Sequence, residues 1–243
     1  MVFSRCVVWF LALFLVLPWT SPSLAAETWP GELVYKESSP HSEHLKQYDL
    51  AQGAGGVVFT LREQDIIQEI TSLPGGLTSR ETYRNVKTGD FVEIVREPGH
   101  LAYSGTIKGR AQQKIEKVDD SPWYGSVLLL RNFVLSGQDK QIFHLTRAEE
   151  TSLVTLEATR QGRETILVAG HPVEAVKIKM TLPGMKAWMW KSLYWFRASD
   201  GILVRSEGTR GPASPVYTVE LMREAPAGDP ALSQSVLPET RTP

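Results

Sequence analysis

The chain has 243 residues, with 26 Lys and Arg against 27 Asp and Glu and a formal charge of −1. So even a balance gives no basic footprint for nucleic acid. Cys6 is the single cysteine, which excludes an internal disulfide and any centre built from several thiolates.

Arg5 is the first charge, and a nearly unbroken apolar run from Cys6 to Leu17 follows it, then Pro18 and the small-residue segment from Thr20 to Ala26. That order is the order of a secretory signal, and the run is shorter than the about 20 residues a membrane-spanning helix needs. Residues 1–26 are therefore expected to be a signal peptide cleaved after Ala25 or Ala26. The expected location is the bacterial periplasm, with no transmembrane span after cleavage. Cys6 precedes the apolar run, whereas a lipid-bearing cysteine would follow it at the cleavage point. Loss of Arg5 leaves 25 Lys and Arg against 27 Asp and Glu, a charge of −2, and a mature chain without a thiol.

The full chain is 42% hydrophobic and 22% charged, and residues 27–224 are expected to form a single β domain. Residues 225–243 are expected to be a disordered tail, punctuated by Pro226, Pro230, Pro238 and Pro243. Within the domain the dominant period is two. Val57, Phe59 and Leu61 alternate with Val58, Thr60 and Arg62; Val176, Ile178 and Met180 with Lys177 and Lys179; Tyr217, Val219 and Leu221 with Thr218 and Glu220. Such alternation puts one face of each strand in a core. Turn chemistry recurs at Gly53-Ala54-Gly55-Gly56, Pro74-Gly75-Gly76, Thr88-Gly89-Asp90, Pro98-Gly99, Gln161-Gly162, Ser199-Asp200-Gly201 and Gly211-Pro212. Short strands broken at these intervals predict a meandering antiparallel sheet.

Ser121 to Phe133 stands apart. Ser121 can cap a first turn, Pro122 sits where a helix tolerates proline, and the run Val127 to Leu130 is too apolar for an exposed helix. One short helix covering the sheet is expected, with a buried strand as the competing reading. From Leu128 to Arg131, from Gly170 to Ala175, and through Tyr194-Trp195-Phe196-Arg197-Ala198-Ser199-Asp200-Gly201 to Arg205, the chain resembles uncharacterised periplasmic proteins whose fold is similar to the LolA and LolB lipoprotein carriers. The resemblance implies a mainly β fold, an incompletely closed antiparallel barrel or strongly curved sheet with one short helix packed against it. It also implies an apolar interior able to hold acyl chains, and it supplies no catalytic residues.

Nothing in the residues adds a catalytic signature. His41 and His44 flank Glu43 without further ligands at metal spacing and read as loop histidines, while His100, His144 and His171 are isolated turn or strand residues. Ser104 and Ser126 both miss the Gly-x-Ser-x-Gly elbow, Gly53 to Gly56 lacks dinucleotide spacing, and Asp119 and Asp120 suit a cap or turn before Ser121. No cofactor and no metal are expected. The aromatic stretch from Lys186 to Phe196 reads as one strand, with Trp188, Trp190, Tyr194 and Phe196 on one parity and Met189, Leu193 and Trp195 on the other. Its Met185 to Trp190 end is read either as core or as the mouth of an apolar cavity or an exposed binding patch, with Lys177, Lys179, Lys186 and Lys191 nearby as at a lipid headgroup boundary.

The reading that follows is a non-catalytic periplasmic binding or carrier protein for a lipid, an acyl chain or a lipoprotein-like cargo. Its expected ligand-binding residues are Met185, Trp188, Trp190, Tyr194, Phe196, Trp123 and Leu129. The alternative is an envelope structural or assembly partner that docks another protein through a sheet edge or the aromatic patch. An enzyme assembled from scattered Asp, Glu, His and Tyr is the third reading.

Overall fold

Alternation along the chain becomes alternation across a sheet. Val57, Phe59 and Leu61 are buried while Arg62 is exposed, and Val176, Ile178 and Met180 are buried beside half-exposed Lys177 and Lys179. The computed structural model describes residues 29–209 and 214–226. The expected signal peptide, the turn at Gly211-Pro212 and the tail beyond Pro226 lie outside the described residues.

A first meander of hairpins runs through β1 (Glu32–Ser39), β2 (Ser42–Gly53), β3 (Gly56–Glu63), β4 (Ile66–Ser72), β5 (Thr78–Asn85), β6 (Asp90–Glu97), β7 (His100–Ile107) and β8 (Arg110–Lys117). After the two-residue β9 (Trp123–Tyr124) and a helical crossover, a second meander follows. It comprises β10 (Lys140–Arg147), β11 (Ser152–Val168), β12 (His171–Thr181), β13 (Lys191–Arg197), β14 (Leu203–Thr209) and β15 (Val216–Ala225). β15 pairs with β1, so the two meanders join into one sheet, ordered from β8 through β1, β15 and β10 to β9. Pairings are antiparallel except β9 with β10.

The two edges of this sheet, β8 and β9, are consecutive in the chain, and so short a connection forces the sheet to curl until they approach. Lys114 of β8 donates to the Thr151 carbonyl at 3.0 Å, bridging the gap without a backbone ladder. The result is a mainly β, incompletely closed antiparallel barrel, as expected. Arg110, Lys114, Glu116 and Lys117 along β8 supply the charges that discourage addition of a further strand.

The helix begins later than the sequence suggests. Trp123 and Tyr124 pair with His144 and Leu145, and the Pro122 carbonyl accepts the His144 N–H at 2.7 Å, so residues 122–124 are extended and Ser121 caps nothing. The cap is Ser126, whose Oγ accepts the Leu128 N–H at 3.3 Å. A 3-10 turn, Val127–Leu130, leads into α1 (Arg131–Ser136), which ends at Gly137 with φ of 75°. Burial of Trp123 at a strand position outweighs the local preference for a helix start, because tertiary packing supplies more than a cap does. Ser126→Ala is expected to cost about 1 kcal/mol, read as a lower urea midpoint; an unchanged midpoint would remove the cap from the account.

Leu128, Leu129, Leu130, Phe133 and Val134 enter the barrel and pack on Leu33, Tyr35, Phe59, Phe143, Ile178 and Phe196. The β13–β14 hairpin holds the helix in place. Arg131 Nε donates to the Asp200 carbonyl at 2.6 Å, Asp200 and Glu224 both bind the Arg197 guanidinium at 2.7 Å, and Tyr35 donates to the Leu203 carbonyl at 2.9 Å. A second cluster of Tyr83, Val92, Ile94, Leu101, Tyr103, Trp123 and Ala148 fills the curl between β5–β7 and β9.

Three further expectations are corrected. Gln161 and Gly162 do not turn the chain; they form a bulge within the 17-residue β11, where the register with β12 slips between Arg160 and Gly162. The aromatic stretch is not one strand either: Gly184–Trp188 is a 3-10 turn and β13 starts at Lys191. Ala225, placed in the tail by sequence, is the last residue of β15, is buried and pairs with Glu32.

Candidate functional site

Strand register gives the barrel two unlike ends. The β1–β2, β3–β4 and β12–β13 connections share one end; the β2–β3, β4–β5 and β13–β14 connections share the other, with Trp29. Near the first end the inward positions turn charged. Glu37 lies across from His44, and the pairing of Gln47 with Arg62 brings Lys46 near Glu63, with Lys46 Nζ at 2.9 Å from Glu37 and 3.0 Å from Glu63, and His44 Nε2 at 2.7 Å from Glu63. These side chains share the strand parity of Tyr35, Tyr48 and Phe59, so they continue the core face as an ionic plug. His44 is thus a strand residue in an ion-pair cluster and not the loop histidine the sequence suggests; His41 does lie in the turn. Among the described residues no group of three or more His, Cys, Asp or Glu is placed to hold a metal ion.

The opposite end carries an apolar cleft of about 370 Å³. The β2–β3 and β4–β5 turns form its walls, Trp29 and Val57 one side, Leu73 and Pro74 the other, and Leu129 and Asn132 of the helical segment its inner side. The walls approach each other closely because glycine permits it. A Cβ on Gly56, whose φ is 125°, would lie 1.8 Å from the Ser72 carbonyl oxygen. Trp29 is held rather than loose: its ring meets Phe59 edge to face at 4.9 Å, the Arg131 guanidinium lies 4.4 Å from its centroid, and its backbone N–H donates to Gln52 Oε1 at 3.3 Å. Asn132 brings the polar group of the inner side, an amide whose Oδ1 is shielded and without a hydrogen-bond partner among the described residues. The lining is thus mostly apolar.

The residues the sequence singled out are not gathered in one place. Leu129 lines the cleft. Tyr194 and Phe196 are core residues of β13, and Trp123 is fully buried in the second cluster. Trp190 is half-buried and donates to the Thr209 carbonyl at 2.7 Å, whereas Met185 and Trp188 stand out at the β12–β13 turn, at the end remote from the cleft. Trp29 was missed. A lone tryptophan just before the first strand has no periodic neighbour to mark its face.

Two polar constellations look chemical and are not placed on the cleft. Asp119 accepts from the Ser121 backbone N–H at 2.8 Å and from His144 at 2.9 Å; that N–H, then the Ser121 hydroxyl and His144, hold its carboxyl down at about 2. His144 also meets Thr155 at 3.1 Å, but the two are direct cross-strand partners of β10 and β11, so this trio ties the crossover to the sheet. Glu81 is fully buried. Gln68 donates to its Oε1 at 2.7 Å, Thr146 donates to its Oε2, and Trp123 Nε1 donates to Thr146 at 3.4 Å. Burial pushes the Glu81 carboxyl up to about 7 against the pull of the Thr146 and Gln68 hydrogen bonds. Sealed from solvent, it stitches β4, β5, β9 and β10 together.

With this geometry in hand, solved structures give a fold likeness. The chain is similar to a β-barrel-like protein of a domain of unknown function, DUF1849, from Brucella abortus, with a TM-score of 0.53 at 8% identity over 81% of this chain and 97% of that one. At such identity the likeness speaks for fold alone. The hypothetical lipoprotein YmcC from Escherichia coli follows at a TM-score of 0.41 and 12% identity, covering 82% and 86%. The LolA superfamily protein NE2245 from Nitrosomonas europaea gives 0.30 and 10%, covering 84% and 90%. The argument for fold rests on the first likeness alone. No protein-family model and no curated protein matches the chain.

Proposed function

We propose that this chain is a non-catalytic binding or carrier protein, exported to the bacterial periplasm, that takes one acyl chain or a comparable apolar ligand into the cleft beside Trp29. The observation that carries the reading is the cleft itself: about 370 Å³, walled by Trp29, Val57, Leu73, Pro74 and Leu129, at the end of the barrel opposite the ionic plug. Its volume lies at the low end for small-molecule sites, roughly 300–1,000 Å³. Leu128, Leu130 and Phe133 occupy the interior below it, so the cargo is a single chain lying at the mouth and not a bundle of chains swallowed whole. The signal-like order of residues 1–26 supports export. Tyr194 and Phe196 belong to the core cluster that also holds Leu129, Trp123 belongs to the second cluster, and none of the three lines the cleft.

A mutation at the mouth tests this without disturbing the core. Ala54 lines the cleft and is exposed, so Ala54→Trp adds bulk where a ligand would enter. A fluorescent lauric-acid analogue is expected to bind the parent protein, and Ala54→Trp to weaken it by about tenfold or more, some 1.4 kcal/mol, with the melting temperature unchanged. Equal affinity in the two proteins would move the ligand elsewhere.

A further inference from the structure

The β12–β13 connection shows a different kind of surface. Met185 and Trp188 are 94% and 85% exposed, more than any other large apolar side chain among the described residues, and Met189 beside them is half exposed. The loop that carries them is built. Pro183 enters it, Gly184 takes φ of 64°, the Met189 N–H donates to the Lys186 carbonyl at 3.0 Å, and Trp190 is pinned through Nε1 to Thr209. The apolar tip is therefore held outward by its own turn instead of folding back on Leu182 and the core.

The charge along this stretch of chain has one sign. From residue 176 to 198 the chain holds Lys177, Lys179, Lys186, Lys191 and Arg197 and no Asp or Glu. Lys177 and Arg197 are matched, to Glu164 at 3.2 Å and to Asp200 at 2.7 Å. Neighbouring carboxylates are occupied too: Glu157 by Lys140 at 2.8 Å, and Glu207 by Arg205 at 3.7 Å. Of the other three cations, Lys179 lies within β12, and Lys186 and Lys191 flank two methionines and a tryptophan at the tip of a hairpin. Tryptophan favours the headgroup level of a bilayer, lysine stems reach along apolar surface to put their charge in water, and each lysine near an anionic leaflet adds attraction.

We propose that the β12–β13 turn is a membrane-docking tip that seats Met185, Trp188 and Met189 in an anionic phospholipid surface, with Lys186 and Lys191 on the headgroups. A bilayer suits this tip better than a protein does. Aromatic and similar large side chains cover roughly 150–250 Å² each, so three at a convex tip fall short of the about 800 Å² per partner that a specific protein interface buries. A fluid surface accepts a convex tip without a matching groove. The cleft beside Trp29, at the other end of the barrel, would then face away from the docked surface. The inference does not depend on what the cleft binds.

Flotation of the full chain with vesicles, joined to deuterium exchange read at residues 184–190, tests it. Binding to vesicles of mixed phosphatidylglycerol and phosphatidylcholine is expected to slow exchange at 184–190 and not in the cleft turns at 53–56 and 73–77. Met185→Ser with Trp188→Ser should abolish that protection, and Lys186→Gln with Lys191→Gln should weaken binding about 25-fold at low salt. Both pairs lie on the exposed turn and should leave acyl-analogue binding and melting temperature as in the parent, which separates this result from the fate of the cleft. No binding, protection surviving Met185→Ser with Trp188→Ser, equal binding to pure phosphatidylcholine, or protection of 184–190 only by an added envelope protein would each overturn the proposal.

Discussion

Trp123→Ala is expected to destabilise the protein by about 3–5 kcal/mol, the range for removing a fully buried large aromatic. Trp123 is 0% exposed, on the two-residue strand at one edge of the sheet. It plugs the space enclosed by Tyr83, Val92, Ile94, Leu101 and Tyr103, and so keeps the β5–β8 half curled against the crossover. The closing ladder is missing between β8 and β9, so side-chain burial does at this seam what backbone hydrogen bonds do elsewhere. The loss should therefore be uneven. Exchange of β6 and β7 amides is expected to accelerate far more than that of β13 and β14, alongside a large drop in urea midpoint. A small midpoint shift with uniform exchange would mean that the curl does not depend on Trp123.

Glu81 gives the second large effect, and it depends on pH. Its carboxyl is raised from 4.5 to about 7 in the folded protein, chiefly by burial, with Thr146, Gln68 and the more distant Glu149 as the groups acting on it. The folded state therefore holds the proton over a window in which the unfolded chain has lost it. Stability from this group is fully present below about pH 4.5 and is lost as pH rises through about 7, by on the order of 3 kcal/mol. Glu81→Gln keeps the shape and removes the titration. The variant is expected to match the parent near pH 4.5 and to exceed it by about that amount at pH 8, in urea unfolding followed across the range. Parallel stability profiles for the two proteins would show that Glu81 stays ionised when folded.

Strand content was legible because alternation at Val57 to Arg62 and Val176 to Met180 is a local pattern with a local meaning. The helix start was not, since the competitor to Ser121 was a cross-strand partner, His144, some twenty residues away. The aromatic stretch kept an apparent period of two through Trp188 and Trp190, while Pro183-Gly184, a turn signal at its entrance, went unweighed. Polar side chains on the inner face were invisible for a related reason. Glu37, His44, Lys46 and Glu63 read as solvent positions until register brings them together, and β5, Thr-Ser-Arg-Glu-Thr-Tyr-Arg-Asn, has too few apolar residues to reveal which face Glu81 is on. Of the residues that line the cleft, Leu129 alone is among the ligand-binding residues expected from sequence. Trp29, Val57, Leu73 and Pro74 meet it only through turns that the sequence marks as turns and not as walls.

A photoreactive acyl chain, cross-linked to the protein and mapped by peptide mass spectrometry, tests the central claim most directly. Adducts are expected in residues 52–57, 72–76 and 129–132 and on Trp29, the walls of the cleft. Adducts confined to residues 184–190, or none at saturating probe, would contradict the claim that this end of the barrel holds the ligand.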